Sequence, residues 1–154
     1  MDWLTKLKIL RRIAFGLGEI HFNKYIHRDI HCGNILIHGK KGISITDLGL
    51  CRPANQPNDR KLYGVLPFLA PEILRGKKYT QNSDIYAFGI VAFEVMTGFP
   101  PHKDVADDHF LHIEICKGLR PESTYKVPRQ ILEIIEQCWD EDPLKQERLK
   151  IVLS

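Results

Sequence analysis

Between His27 and Asn34 the chain reads His-Arg-Asp-Ile-His-Cys-Gly-Asn, which sets a carboxylate, Asp29, five residues ahead of an amide, Asn34. A second carboxylate, Asp47, follows thirteen residues after Asn34 and opens the triplet Asp47-Leu48-Gly49. A carboxylate can take the proton from an attacking hydroxyl. A second carboxylate and an amide oxygen are hard donors of the kind that hold Mg²⁺ against nucleotide phosphates. Together they are equipment for phosphoryl transfer. Taken singly, each has a blander use: Asp29 can cap loop amides, Asn34 can serve a turn, and Arg28 can form a simple ion pair. His27, His31, Cys32 and His38 also lie close in sequence, but their spacing matches no closed Cys/His zinc site.

The elements that must position these residues are mainly helical. Leu4, Leu7, Leu10, Ala14, Leu17 and Ile20 or His21 recur every three to four residues, which predicts an amphipathic helix over 3–22 that stops near Asn23-Lys24. Two short β-like runs, 35–38 and 43–46, flank Gly39-Lys40-Lys41-Gly42 and predict a hairpin. From Asp47 to Glu72 come Pro53, Pro57, Pro67 and Pro71 with Gly49 and Gly64, and no periodicity long enough for an element. A loop of that length in a compact domain is usually functional. The stretch 84–96 is apolar nearly all round, with Ser83 as its expected N-cap, and should be the buried centre. Gly98 and Pro100-Pro101 end it, and 107–117 looks helical. Pro128, at a first-turn position, opens a last helix with Ile131, Leu132, Ile135, Cys138 and Trp139 on one face. The expected fold is mainly α with a small β-hairpin.

At 154 residues the chain suits one domain, and 44% apolar with 27% charged residues is ordinary globular composition, which excludes disorder as a whole-chain reading. A net charge of +3 without charge blocks gives no ground for a nucleic-acid partner. The longest apolar run, 85–96, is interrupted by Glu94 and falls short of the roughly 18–20 residues a membrane span needs, so no membrane segment is expected. Lys6, Lys8, Arg11 and Arg12 read as a solvated helix face rather than an import presequence. Four cysteines without a CxxC pair and without a signal-peptide stretch point to reduced thiols and a cytoplasmic setting.

Further motifs stand in order: Ala70-Pro71-Glu72 closes the long loop, Asp84-Ile-Tyr-Ala-Phe-Gly89 opens the buried helix, and Cys138-Trp139 with Asp142-Pro143 ends the last one. With this set the chain resembles the protein-kinase family over its whole length, and the wording of 64–72 with the Cys-Trp pair is most like the tyrosine-kinase-like group. The resemblance implies the helical C-terminal lobe of a two-lobed enzyme, 1–154, with a catalytic loop at 27–34, an activation segment at 47–72 and a central helix at about 84–96. It implies ATP and Mg²⁺ as cofactors and a protein hydroxyl as substrate, tilted toward Ser/Thr. Residue by residue, Asp29 resembles the catalytic base, Asn34 and Asp47 the Mg²⁺ ligands, and Leu36 the apolar floor beneath adenine. Arg28 resembles the arginine that pairs with an activation-segment phosphate, and His31 stands where serine/threonine kinases usually carry a lysine that contacts the γ-phosphate. His27 and Leu48 resemble members of a packed column, with Asp84 as its buried anchor.

The chain also departs from that pattern. It contains no GxGxxG, no lysine in a VAIK-like strand and no preceding helix with the partner glutamate. The N-lobe is therefore absent and expected from upstream sequence, and the chain alone should be a poor catalyst, because phosphoryl transfer rests on positioning and charge stabilisation. The alternative is a catalytically inactive, pseudokinase-like binding or scaffold module. A lobe meant to be covered should expose an apolar rim around Leu36 and Leu48. Gln146-Glu147 replaces the family's Arg-Pro, with Arg148 two places late, and 150–154 begins no complete final helix. Val65 after Gly64 stands where many serine/threonine kinases carry Thr. Between Asp47 and Glu72 there is no Ser or Thr and one Tyr, Tyr63, so an activating phosphate on this segment sits on Tyr63 or is absent; otherwise Tyr63 is a packing residue.

Overall fold

The computed structural model describes residues 1–39, 42–55, 62–123, 125–142 and 144–146. Lys40-Lys41 of the expected turn, Pro57, Pro143 and the 147–154 stretch with Arg148 lie outside the described residues. Helix α1 runs Trp3–Phe22, as its periodicity predicts, and Asp2 caps it by accepting from the Thr5 amide. Its buried face is Lys6, Ile9, Leu10, Ile13, Ala14 and Leu17, whereas Leu4 and Leu7 are exposed. The expected stripe is thus rotated at its N-terminal end. Leu/Ile pairs at 9–10 and 4–7 support two overlapping ladders, and packing on the central helix selects the one through Ile9 and Ile13. Lys6 belongs to the buried face because its Nζ donates to the Met96 carbonyl at 2.8 Å and lies 5.2 and 5.3 Å from the Trp3 and Tyr125 rings. A cation there complements the negative end of the helix it caps.

Strand β1 (Tyr25–Ile26) pairs antiparallel with β4 (Arg52–Pro53), and β2 (Ile35–Ile37) pairs antiparallel with β3 (Ile43–Ile45) in the register Ile35↔Ile45. The second pair is the expected hairpin. The first was not expected, since two residues per strand carry no alternation to read. Nor is the 47–72 segment without elements. It holds 3₁₀ turns at Leu48–Leu50 and Leu66–Phe68, strand β4, and a one-turn helix α2, Pro71–Leu74, started by proline at its first position.

Helix α3 spans Gln81–Thr97, and its cap is Thr80 rather than Ser83: Thr80 Oγ1 accepts from the Ser83 amide while Ser83 Oγ accepts from the Thr80 amide. It is buried along most of its length, with Ile90, Val91 and Met96 fully inaccessible, and Gly98 closes it in the left-handed region at φ 79°. Helix α4 (Asp108–Cys116) is capped by Asp107. Helix α5 (Arg129–Cys138) starts after Pro128, which takes the cap position instead of the first turn, and it buries Ile135 and Cys138 against α3.

Gly89 marks the closest approach of α3 and α5. A Cβ there would stand 2.6 Å from the Cys138 Cβ and 3.3 Å from the Ile135 carbonyl. Alanine is the better helix former, yet Gly89→Ala should destabilise by about 1–3 kcal/mol through overpacking, read as a lower urea midpoint at unchanged m. A midpoint at or above wild type contradicts this packing.

Glu72, on α2, is held above the ordinary carboxylate range by burial and by Glu141, against the opposing effects of its own amide, Arg75 and Lys77. The folded state therefore keeps a proton that the unfolded chain has lost just above pH 4.5, and stability falls as pH rises through that window. Glu72→Gln should flatten this fall in urea midpoints measured from pH 4 to 7. An unchanged pH profile contradicts the burial of that carboxyl.

Candidate functional site

The site is assembled from the N-terminal turn of α3. Asp84, 2% exposed, accepts the amides of His27 at 2.8 Å and Arg28 at 3.0 Å, and its Oδ2 lies 2.9 Å from His21 Nε2 at the end of α1. One carboxylate thus fixes the start of the 27–34 loop to two helices. Arg28 needs that grip, because its backbone is left-handed at φ 73°, a region costly for a residue with a Cβ. His27 is fully buried, its Nδ1 accepting the Asp29 amide at 3.1 Å and its Nε2 donating to the Thr46 carbonyl at 2.9 Å. The ring therefore ties the loop to the segment carrying Asp47.

Asn34 is the hub of the loop. Its amide nitrogen donates to the Asp29 carbonyl at 2.7 Å and to Asp29 Oδ2 at 3.1 Å. Its own carbonyl accepts the Thr46 amide at 2.8 Å and the Thr46 hydroxyl at 3.1 Å. Asp29 and Asn34 are thus in contact, and Asp47 is the residue next to Asn34's bonded neighbour. With its nitrogen committed to Asp29, Asn34 has its amide oxygen as the atom able to ligate a cation. Asp47 is exposed, adopts a left-handed backbone at φ 57° and makes no cap hydrogen bond to the turn it precedes. An amide oxygen and an exposed carboxylate are an oxygen donor set that suits Mg²⁺, which keeps several waters and takes few protein ligands.

His31 Nδ1 accepts the Gly33 amide at 3.1 Å, which turns Nε2 toward Asp29 Oδ1 at 3.4 Å. Gly64 is also a neighbour of Asp29: a Cβ there would lie in van der Waals contact, 3.5 Å from Oδ1. Its φ of 97° is what favours glycine there, and a Cβ would also crowd Leu69 Cδ2 at 3.1 Å. Arg28 is buried; its Nε donates to the Leu50 carbonyl at 2.6 Å and its guanidinium lies over Tyr63 and Tyr79, 4.6 and 5.7 Å from the ring centroids. Leu36 and Leu48 are 47% and 58% exposed, and Ile37 is exposed as well, so an apolar rim borders Asn34 and Asp47.

Asp29, Asn34 and His31 are therefore brought together, while the Arg28 side chain reaches Leu50, Tyr63 and Tyr79. Asp84 is buried and holds the His27 and Arg28 amides, whereas Leu48, read with His27 as a member of the column that Asp84 anchors, is exposed. His21, Thr46, Leu50 and Tyr79 were not singled out as partners by sequence reasoning. Only Tyr79 carried a signal, lying directly before the Thr80/Ser83 cap. For the zinc alternative, the nitrogens of His27 and His31 are engaged as described and His38 Nε2 meets the Ser44 hydroxyl at 3.0 Å. Burial first, and then Glu94, hold the Cys32 thiol well above its ordinary range. Among the described residues no group of three His, Cys, Asp or Glu side chains is placed to hold a metal. Gln146, at the place of the family's missing arginine, is buried and donates to the Cys138 carbonyl at 2.8 Å.

A loop with this carboxylate–amide pair, anchored on a buried helix whose first turn holds Asp84, defines the protein-kinase class. The family model described as protein tyrosine and serine/threonine kinase matches residues 1–154, and the chain belongs to that family. It is 33% identical over 156 residues to a protein of Acanthamoeba polyphaga mimivirus named as a serine/threonine-protein kinase/receptor, covering 99% of this chain and 9% of that protein. It is 34% identical over 146 residues to a serine/threonine-protein kinase of Dictyostelium discoideum, covering 95% of this chain and 11% of the relative. A human dual serine/threonine and tyrosine protein kinase is 33% identical over 153 residues, covering 96% of this chain and 16% of that protein. The chain spans about a tenth to a sixth of the length of these relatives. Among the described residues no helix is long and apolar enough to cross a membrane.

Proposed function

We propose that this chain is the helical lobe of a protein kinase that transfers the γ-phosphoryl group of ATP to a protein hydroxyl, with serine or threonine the preferred acceptor. The observation that carries the reading is Asn34, whose amide nitrogen holds Asp29 while its carbonyl holds the strand end that carries Asp47. A base for the hydroxyl and two oxygen ligands for a metal are thereby set on one short ladder. When bound, Mg·ATP supplies the phosphoryl group and neutralises part of its charge. Asn34 Oδ1 and Asp47 would hold the metal, and the rim at Leu36 would receive the adenine. Asp29 takes up the acceptor's proton, its Oδ2 oriented by Asn34 and its Oδ1 faced by His31. The tyrosine-kinase-like wording of 64–72 and the names of the relatives support the serine/threonine preference. A nucleotide roof would come from a second lobe elsewhere in the natural protein, and the apolar rim is the surface it would cover.

The test is phosphoamino-acid analysis of a mixed protein substrate after incubation of the natural full-length protein with γ-labelled ATP and Mg²⁺. Labelled phosphoserine or phosphothreonine is expected. Label on tyrosine alone overturns the acceptor preference, and no label with intact Mg·ATP binding replaces the enzyme by a scaffold.

A further inference from the structure

The 62–72 stretch neighbours Asp29 through Gly64, and its placement can be traced to one side chain that the proposed transfer leaves unused. Tyr79 is buried, and it directly precedes the Thr80 cap of α3. Its hydroxyl accepts the Tyr63 amide at 2.7 Å and donates to the Tyr63 carbonyl at 2.5 Å, so one oxygen serves both backbone groups of a single residue. Its ring lies 6.3 Å from the Tyr63 ring, and both rings face the Arg28 guanidinium. Burial pushes the phenol further above its ordinary range, which accords with a hydroxyl that both donates and accepts.

The next residue after Tyr63 is Gly64, the backbone that approaches Asp29 Oδ1. Five residues after Tyr79, in the first turn of α3, Asp84 fixes the amides of His27 and Arg28. Asp29, Gly64, Val65, Tyr79 and Asp84 line one small pocket. Asp84 sets the loop that carries the base, and Tyr79 sets the segment facing it.

We infer that Tyr79 is a positioning residue for the proposed transfer: its grip on the Tyr63 backbone seats Gly64-Val65 beside Asp29, where the acceptor peptide must lie. The inference rests on the kinase reading for its catalytic meaning and on geometry alone for the grip. The grip is made by a hydroxyl on the Tyr63 backbone and by two rings on Arg28.

The test is Tyr79→Phe, which keeps the ring and removes one oxygen, in the natural full-length protein confirmed unphosphorylated at 47–72 by mass. Amide exchange at Tyr63 should rise about tenfold, the scale of one hydrogen bond, while the α3 amides from Ala87 to Phe93 exchange as in wild type. The KM for a peptide acceptor should rise by about the same factor, more than kcat falls and with the KM for ATP unmoved. Unchanged Tyr63 exchange overturns the grip. An equal rise throughout α3 marks general destabilisation and overturns the inference as well. Raised exchange with an unmoved peptide KM overturns the positioning role. A wild-type protein that transfers no phosphate sinks the kinase reading instead, and raised exchange would then mark Tyr79 as a structural clamp only.

Discussion

Asp29→Asn in the natural full-length protein should lower kcat for peptide phosphorylation by about 10²–10⁴-fold, the range for loss of a general base. The substitution replaces one oxygen by an amide group of nearly the same shape, so the loop should persist. Asn34 can still donate to the remaining oxygen, and the His27 and Asp84 bonds that hold the loop do not involve the Asp29 side chain. The KM for ATP and the urea midpoint should accordingly stay near wild type, because the proposed nucleotide and metal contacts lie on Asn34, Asp47 and Leu36. A variant within threefold of wild-type kcat would remove Asp29 from the reaction. An equally large loss accompanied by unfolding would assign it a structural role instead.

The largest effect on stability is expected at Asp84. Asp84→Ala strips the acceptor from two buried backbone amides and from His21, and the loss should be about 3–5 kcal/mol, comparable to breaking a buried charged pair. Arg28 adds to the cost, since its left-handed backbone persists only while its surroundings over-determine it. Asp84→Asn, which keeps one acceptor oxygen, should lose less. Urea unfolding read by circular dichroism checks both, and a loss below about 1 kcal/mol for Asp84→Ala would contradict the anchor role.

The contact of Asp29 with Asn34, and of Asn34 with the residue before Asp47, was legible in the sequence because a loop or hairpin preserves short spacings along the chain. Helices α1 and α5 were legible from an apolar face repeating every 3.6 residues, and α3 from a long apolar run closed by Gly98 and Pro100-Pro101. The errors sit where that signal is degenerate or too short. In α1 the neighbouring leucines and isoleucines allow two ladders, and only packing against α3 decides between them. At the start of α3, Ser83 has the residue type of a cap, but the Thr80/Ser83 pair satisfies both amides when the helix begins three residues earlier. The β1–β4 ribbon and α2 are shorter than one readable period. The partners His21 and Tyr79 were hidden differently: their bonds join residues 63 and 16 positions apart, and side-chain pairing at a distance leaves no periodic trace.

The proposed coupling of nucleotide binding to a divalent cation rests on Asn34 and Asp47 as its two oxygen ligands. Its most direct test is calorimetric titration of ATP into the natural full-length protein, with Mg²⁺ and with EDTA, for wild type and for Asp47→Asn. Binding should require Mg²⁺ and should weaken by at least about tenfold in Asp47→Asn, because one of the few protein ligands to the metal is lost. ATP affinity that is the same with EDTA as with Mg²⁺, and the same in Asp47→Asn as in wild type, would contradict it.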